Sequence, residues 1–205
     1  MLKFRVLADE TASTPLILRN AHLVGPDNIP VRGTIQYDGS QITCDKRTAG
    51  PVALALQVDV GAVGELTMQT CLLPDRAEPY LLYLELARHR LMLLLAKQED
   101  WMMFDLEAEH PAMRRAHVAR CQFVKALNAS VDDPAEADRL GREALVAAAD
   151  ASEELALAHA EMLFERRRQG AGGRRAVLGC GVALDQNTEP IRSSLSSNFD
   201  YVVVP

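Results

Sequence analysis

Over its first third the chain alternates apolar and polar residues in short runs. Lys3-Phe4-Arg5-Val6-Leu7 is the first of these, and Leu16 to Val24 is an apolar stretch closed by Gly25-Pro26-Asp27-Asn28. Val31 to Tyr37, Asp38-Gly39 and Gln41-Ile42-Thr43-Cys44 together predict a hairpin, because Asp-Gly tolerates the positive φ of a tight turn. Val52 to Val60 leads to Gly61, and Gly64 to Leu72 is the last run of this kind. Short strands separated by Gly- and Pro-bearing turns predict an antiparallel β-sandwich over residues 1–75.

From Glu78 to Gln169 the apolar period becomes helical, and a helical segment is predicted over residues 76–170. The first helix is expected to open at Pro79, where a missing N–H costs nothing, and to run to about Trp101. Leucines lie around most of its circumference, leaving a thin polar stripe of Glu85, Arg88, His89 and Lys97, so several neighbours are needed to cover it. Leu84, Leu91 and Leu95 are expected in one interface that joins this helix to the sandwich. A second helix is predicted from His110-Pro111 to about Ala129, with Val118, Cys121, Val124 and Leu127 inward. Asp132-Asp133-Pro134 supplies a cap and an N1 proline for a long third helix, with Glu136 placed for a capping box. Its seam of Ala137, Leu140, Ala144, Ala148, Ala151, Leu155, Ala158 and Met162 is mostly alanine, which lets the first helix approach closely. Arg166-Arg167-Arg168 complements the negative end of that helix, and Gly170, Gly172 and Gly173 stop it.

The period changes again at Arg174. Ala176 to Leu184 is a continuous apolar run, a short helix is predicted from Glu189-Pro190, and Phe199 to Val204 is a second apolar run. Strands apolar on both faces and joined by a helix predict a β-α-β unit of a parallel sheet over residues 174–205. Two strands do not complete such a sheet, so the chain is expected to be cut from a longer protein. The fold class that results is α+β: a sandwich, three helices, and the first β-α-β unit of a (β/α)8 barrel.

Apolar residues make up 48% of the 205 and charged residues 24%, which excludes a disordered or low-complexity chain. A net charge of −6 argues against nucleic acid and anionic membranes as partners. There is no apolar run of the ~20 residues that a membrane span needs, and no signal-peptide core precedes Asp9-Glu10. A cytoplasmic location is the expectation. Cys44, Cys71, Cys121 and Cys180 show no CxxC spacing, so they are expected to be small buried hydrophobes.

Gly179-Cys180-Gly181 begins like a dinucleotide-binding fingerprint, but Leu184 stands where its third glycine belongs. Close strand packing explains these glycines better. Walker, HExxH and GxSxG motifs are absent. His22, His89, His110, His117 and His159 are expected to provide no metal-ligand pair on one helical face. Trp101, Met102, Met103 and Phe104 form a cluster better explained as core than as a ligand cradle. Asp105, Glu107 and Glu109 are expected in a solvated turn. No catalytic, cofactor-binding or metal-ligating residue is assigned, and no cofactor is implied.

Leu178 to Ala183, a helix with Ile191 and Leu195, then Asn198-Phe199-Asp200-Tyr201-Val202-Val203 resemble the opening of the family 10 glycoside hydrolases, the xylanase barrel. Gly64-Glu65-Leu66 through Leu72-Leu73-Pro74-Asp75-Arg76, with Glu78 to Leu82 and Glu85 to Arg88, are similar to an N-terminal extension of bacterial, planctomycete-like members of that group. The resemblance implies a barrel that hydrolyses β-1,4-glycosidic bonds with retention, acting on a poly- or oligosaccharide. The family's acid/base and nucleophile glutamates lie on later strands, and Pro205 stands where its first sugar-binding Glu would be. This chain is therefore expected to be a non-catalytic N-terminal module of such a hydrolase. Two alternatives are a carbohydrate-binding sandwich, which wants exposed aromatics, and a dimerisation or scaffold module whose first and third helices meet a partner.

Overall fold

A computed structural model describes residues 1–7, 16–103, 106–170, 177–183 and 189–203, so the expectations placed on Phe104, Asp105, Leu184 and Pro205 lie outside the described residues. The chain is mixed α+β and divides into two units, residues 1–159 and 160–205. No barrel is formed among the described residues.

Among the described residues the first unit has eight strands: β1 (Leu2–Arg5), β2 (His22–Val24), β3 (Pro30–Val31), β4 (Gly33–Tyr37), β5 (Gln41–Lys46), β6 (Ala53–Asp59), β7 (Glu65–Gln69) and β8 (Tyr80–Leu81). One sheet has the order β4-β5-β1-β8 and the other β3-β2-β6-β7. All neighbours are antiparallel except β1 and β8, where Phe4 stands opposite Tyr80 in parallel register. The β4–β5 hairpin forms at Asp38-Gly39: Asp38 Oδ1 accepts the backbone N–H groups of Ser40 and Gln41, and Gly39 takes φ 98°. Those two N–H groups also hold the Asp38 carboxyl below the usual carboxylate range.

The run from Val31 to Tyr37 is not one strand. Its start, β3, pairs with β2, and its remainder, β4, pairs with β5 in the other sheet. Gly33 sits at this crossing, where a Cβ would lie 2.6 Å from the Asp45 carbonyl oxygen and 2.7 Å from a Leu23 methyl. No other residue fits there without displacing backbone.

Three helices follow: α1 (Leu82–Asp100), α2 (Pro111–Ala129) and α3 (Pro134–Gly170). The first begins at Leu82 rather than Pro79, because Tyr80 and Leu81 extend first to pair with β1. His110 Nδ1 accepts the Ala112 N–H and so caps α2. Asp133 Oδ1 does the same for Glu136 N ahead of α3. Gln98 meets Met113, and Arg88 lies over the Phe123 ring, so α2 runs antiparallel to α1. Arg115 pairs with Asp150 and Gln122 with Glu143, which makes α3 antiparallel to α2. Leu84 against Gly141 and Trp101 stacked on His159 then place α3 parallel to α1.

One hydrophobic cluster contains Leu2, Phe4 and Ile42 of the first sheet, Leu23, Leu54 and Leu56 of the second, Leu82 and Leu86 of α1, and Ala144, Leu145 and Ala149 of α3. Every residue of α1 from Leu82 to Ala87 is buried, as the all-round apolar pattern requires. Further along, only Leu91, Leu94 and Gln98 stay buried. The expected interface of Leu84, Leu91 and Leu95 with the sheets is not formed as one: Leu84 packs with Ala126 of α2 and Leu140 of α3, and Leu95 is 49% exposed, against 7% for Leu91.

The inner face of α2 differs from the expectation. Val118, Cys121 and Val124 are exposed, and the buried residues are Ala112, Ala119 and Ala126. These recur every seven residues, as do Ala137, Ala144 and Ala151 of α3, so both helices present alanine at the same interval.

The two leucines of α1 provide a paired test. Leu91→Ala should lower unfolding free energy by ~2–5 kcal/mol, the cost of emptying a packed site. Leu95→Ala should stay within about 0.5 kcal/mol, as surface changes do. Urea unfolding followed by Trp101 fluorescence measures both, and similar losses in the two variants would contradict the assigned face of α1.

Candidate functional site

The second unit contains β9 (Gly179–Gly181), α4 (Glu189–Asn198) and β10 (Tyr201–Val203). The strands pair in parallel, Tyr201 opposite Gly179 and Val203 opposite Gly181, with α4 as the connection between them. Asp200 Oδ2 accepts the Leu178 N–H at 2.9 Å, and Val182 N–H donates to the Val203 carbonyl at 3.0 Å. Gly179 has a specific cause: a Cβ there would fall 2.1 Å from the Tyr201 ring. The glycine of Gly179-Cys180-Gly181 thus makes room for a neighbouring strand's side chain.

The β-α-β order matches the sequence expectation, but the burial does not. Both apolar runs were expected to be covered on two faces, whereas Leu178, Tyr201, Val202 and Val203 are all exposed. Neighbouring residues on a strand point to opposite faces, so β10 offers apolar surface on each side.

Among the described residues, no group of three or more His, Cys, Asp or Glu side chains could hold a metal ion. The aromatic side chains of the first unit's sheets are engaged. Phe4 is fully buried, the Tyr37 hydroxyl donates to the Gly39 carbonyl at 2.9 Å, and the Arg76 guanidinium lies 3.4 Å above the Tyr80 ring. A stacking platform for sugar rings is not formed by these residues. An open groove of about 480 Å³ lies beside β2, β3 and β4, with Leu18, Val31 and Ile35 as apolar walls and Asn20, His22 and Arg32 as polar ones.

The cysteines divide by environment. Burial pushes the Cys44 thiol up to about 12, which makes it inert. Cys71 is also pushed up, first by burial and then by the neighbouring Glu85 carboxylate. The expectation of four buried thiols holds for Cys44: Cys71 and Cys180 are half-buried, and Cys121 is exposed on α2, with its Sγ 3.5 Å from His117 Nε2. The signal that sequence reading missed was the His117-x-x-x-Cys121 spacing, which puts the two side chains on one helical face.

Glu85 is buried on α1 with its carboxylate held by Arg88 at 2.9 Å. Of the Met and aromatic cluster expected as core, Met103 is buried and Trp101 is half-buried, stacked on His159 with ring centroids 4.5 Å apart. Exposed Met102, at φ 53°, is the exception.

His89 gives the first unit a defined response to acid. Burial lowers its pKa, opposed by a hydrogen bond with the Gln69 backbone and assisted by the charge of Arg90. The unfolded chain therefore holds this proton more tightly than the folded protein. Its contribution to stability is complete above the ordinary value of 6.5 and is lost as pH falls through the lowered value. The urea midpoint should hold between about pH 7 and 8 and decline below about pH 6.5, where the unfolded imidazole charges. His89→Gln should flatten that decline, and an unchanged slope in the variant would count against the assignment.

No protein-family model, curated protein or solved structure matches this chain.

Proposed function

We propose that this chain is a non-catalytic N-terminal module attached to the first β-α-β unit of a (β/α)8 barrel, the catalytic part of a xylanase-like glycoside hydrolase. The observation that carries the reading is the parallel β9–β10 pair with its connecting helix and uncovered apolar faces. Parallel strands of this composition occur where both faces are covered, which fits the opening of a barrel. The resemblance of Leu178–Ala183 and Asn198–Val203 to the first two strands of the family 10 hydrolases supplies the substrate class, a β-1,4-linked poly- or oligosaccharide. In that arrangement the two sheets of the first unit form a sandwich against the helices, and their role is structural.

A retaining hydrolase places two carboxyl groups ~5 Å apart across the scissile bond. The buried carboxylates Glu85 and Asp138 are instead tied to Arg88 and Arg142, which suits a framework better than a proton shuttle. A dimerisation module is the second reading, favoured by Met92, Leu93 and Leu95 exposed together on α1. Sugar binding by the sandwich has less support, given the buried Phe4 and engaged Tyr37.

The test uses the protein as its native cells make it. It should have a mass well above the 22.5 kDa of this sequence and release reducing sugar from β-1,4-xylan, while the 205-residue chain alone releases none. A native protein of 22.5 kDa without that activity would overturn the reading.

A further inference from the structure

The outer face of α2 carries a pair of donors that the proposed module does not use. His117 and Cys121 lie one turn apart, both exposed, with Nε2 and Sγ separated by 3.5 Å. In a tetrahedral zinc site the metal–sulfur distance is ~2.3 Å and the metal–nitrogen distance ~2.0–2.1 Å. With a bond angle near ~109°, these lengths put the two donor atoms ~3.6 Å apart. The pair is thus already spaced as one edge of that tetrahedron, on a helix that holds both Cα positions fixed.

We propose that His117 and Cys121 form a two-donor site for a borderline-soft divalent metal ion of the zinc class. An imidazole nitrogen and a thiolate select such ions over magnesium or calcium, which take oxygen donors. On binding, the hydrated ion exchanges two waters for Sγ and Nε2. Cys121 gives its thiol proton to solvent, and neither metal nor sulfur changes oxidation state. The other two positions of the tetrahedron stay open to water or to the same pair from a second copy.

Cobalt(II) titration of the reduced protein tests this, because a cobalt–thiolate bond gives a charge-transfer band in the near ultraviolet. The band should appear in the wild type and saturate at one ion per chain, or at one per two chains where a second copy completes the site. Cys121→Ser should abolish it, and His117→Ala should weaken binding at least about tenfold. Cys180→Ser should leave it unchanged. Both altered side chains are exposed, so far-ultraviolet circular dichroism should match the wild type. No band at millimolar cobalt, or a band that survives unchanged in Cys121→Ser or His117→Ala, overturns the proposal.

Discussion

The first unit depends on burying the start of α1 on all sides. From Leu82 to Ala87 every residue is buried, although a helix turns through a full circle in about 3.6 residues. A single neighbour covers only a stripe, so this segment needs both sheets and two helices around it. The cluster that joins Leu2, Leu54, Leu82 and Leu145 is the result. A carboxylate falls inside the enclosed stretch, at Glu85, and Arg88 from the same helix neutralises it where water cannot. The geometry of α3 follows from the same demand. A Cβ on Gly141 would lie 3.0 Å from the Leu84 backbone nitrogen, so only glycine lets the two helices come this close. The next residue, Arg142, stacks on the Tyr83 ring, bonds Asp138, and donates to the Leu7 carbonyl. It thus links α3 to α1 and to the chain just after β1.

Three helices, and the starts of α2 and α3, were legible because their start signals are local. The prolines of α2 and α3 stand at their first positions, and the Asp133 cap forms as its sequence suggests. Which face of α2 turns inward was not legible from hydrophobicity. Valine outranks alanine on any transfer scale, yet Val118 and Val124 are outside and Ala119 and Ala126 inside. Close helix packing selects for small size rather than for greasiness, and the seven-residue alanine repeat on both helices was the more reliable sign. The strand from Val31 to Tyr37 failed for a non-local reason. Its break at Gly33 is set by Asp45 and Leu23, residues that sequence order does not bring together. Tyr80 and Leu81 read locally as helix because their partner, β1, lies far off at the start of the chain.

The candidate chemistry was less visible than the fold. A metal search by histidine spacing alone passes over His117, because its partner is a thiol and the cysteines carry no CxxC pattern. Spacing within one helix did contain the information. The parallel character of β9 and β10 was legible from their apolar runs and the helix between them, since neither run alternates with polar residues.

The second unit inverts the constraint that governs the first. Where Leu82 to Ala87 are enclosed, Tyr201 to Val203 are open, although their side chains alternate between two faces. Covering a Val or Leu side chain is worth roughly 1.5–3 kcal/mol, and this unit does not obtain that from its own strands. A two-stranded sheet is marginal in water even when one face is covered, and parallel pairing is slightly weaker per residue than antiparallel. What the unit does secure is register: the Tyr201 ring over Gly179, Asp200 on the Leu178 N–H, and Val182 on the Val203 carbonyl fix the two strands relative to each other. Register without coverage is what a sheet needs at its growing edge, because a further parallel strand then has one alignment to join. In the proposed barrel, the apolar residues left open on β10 are the surface that further strands and their helices would cover, which would supply the stability that the pair lacks.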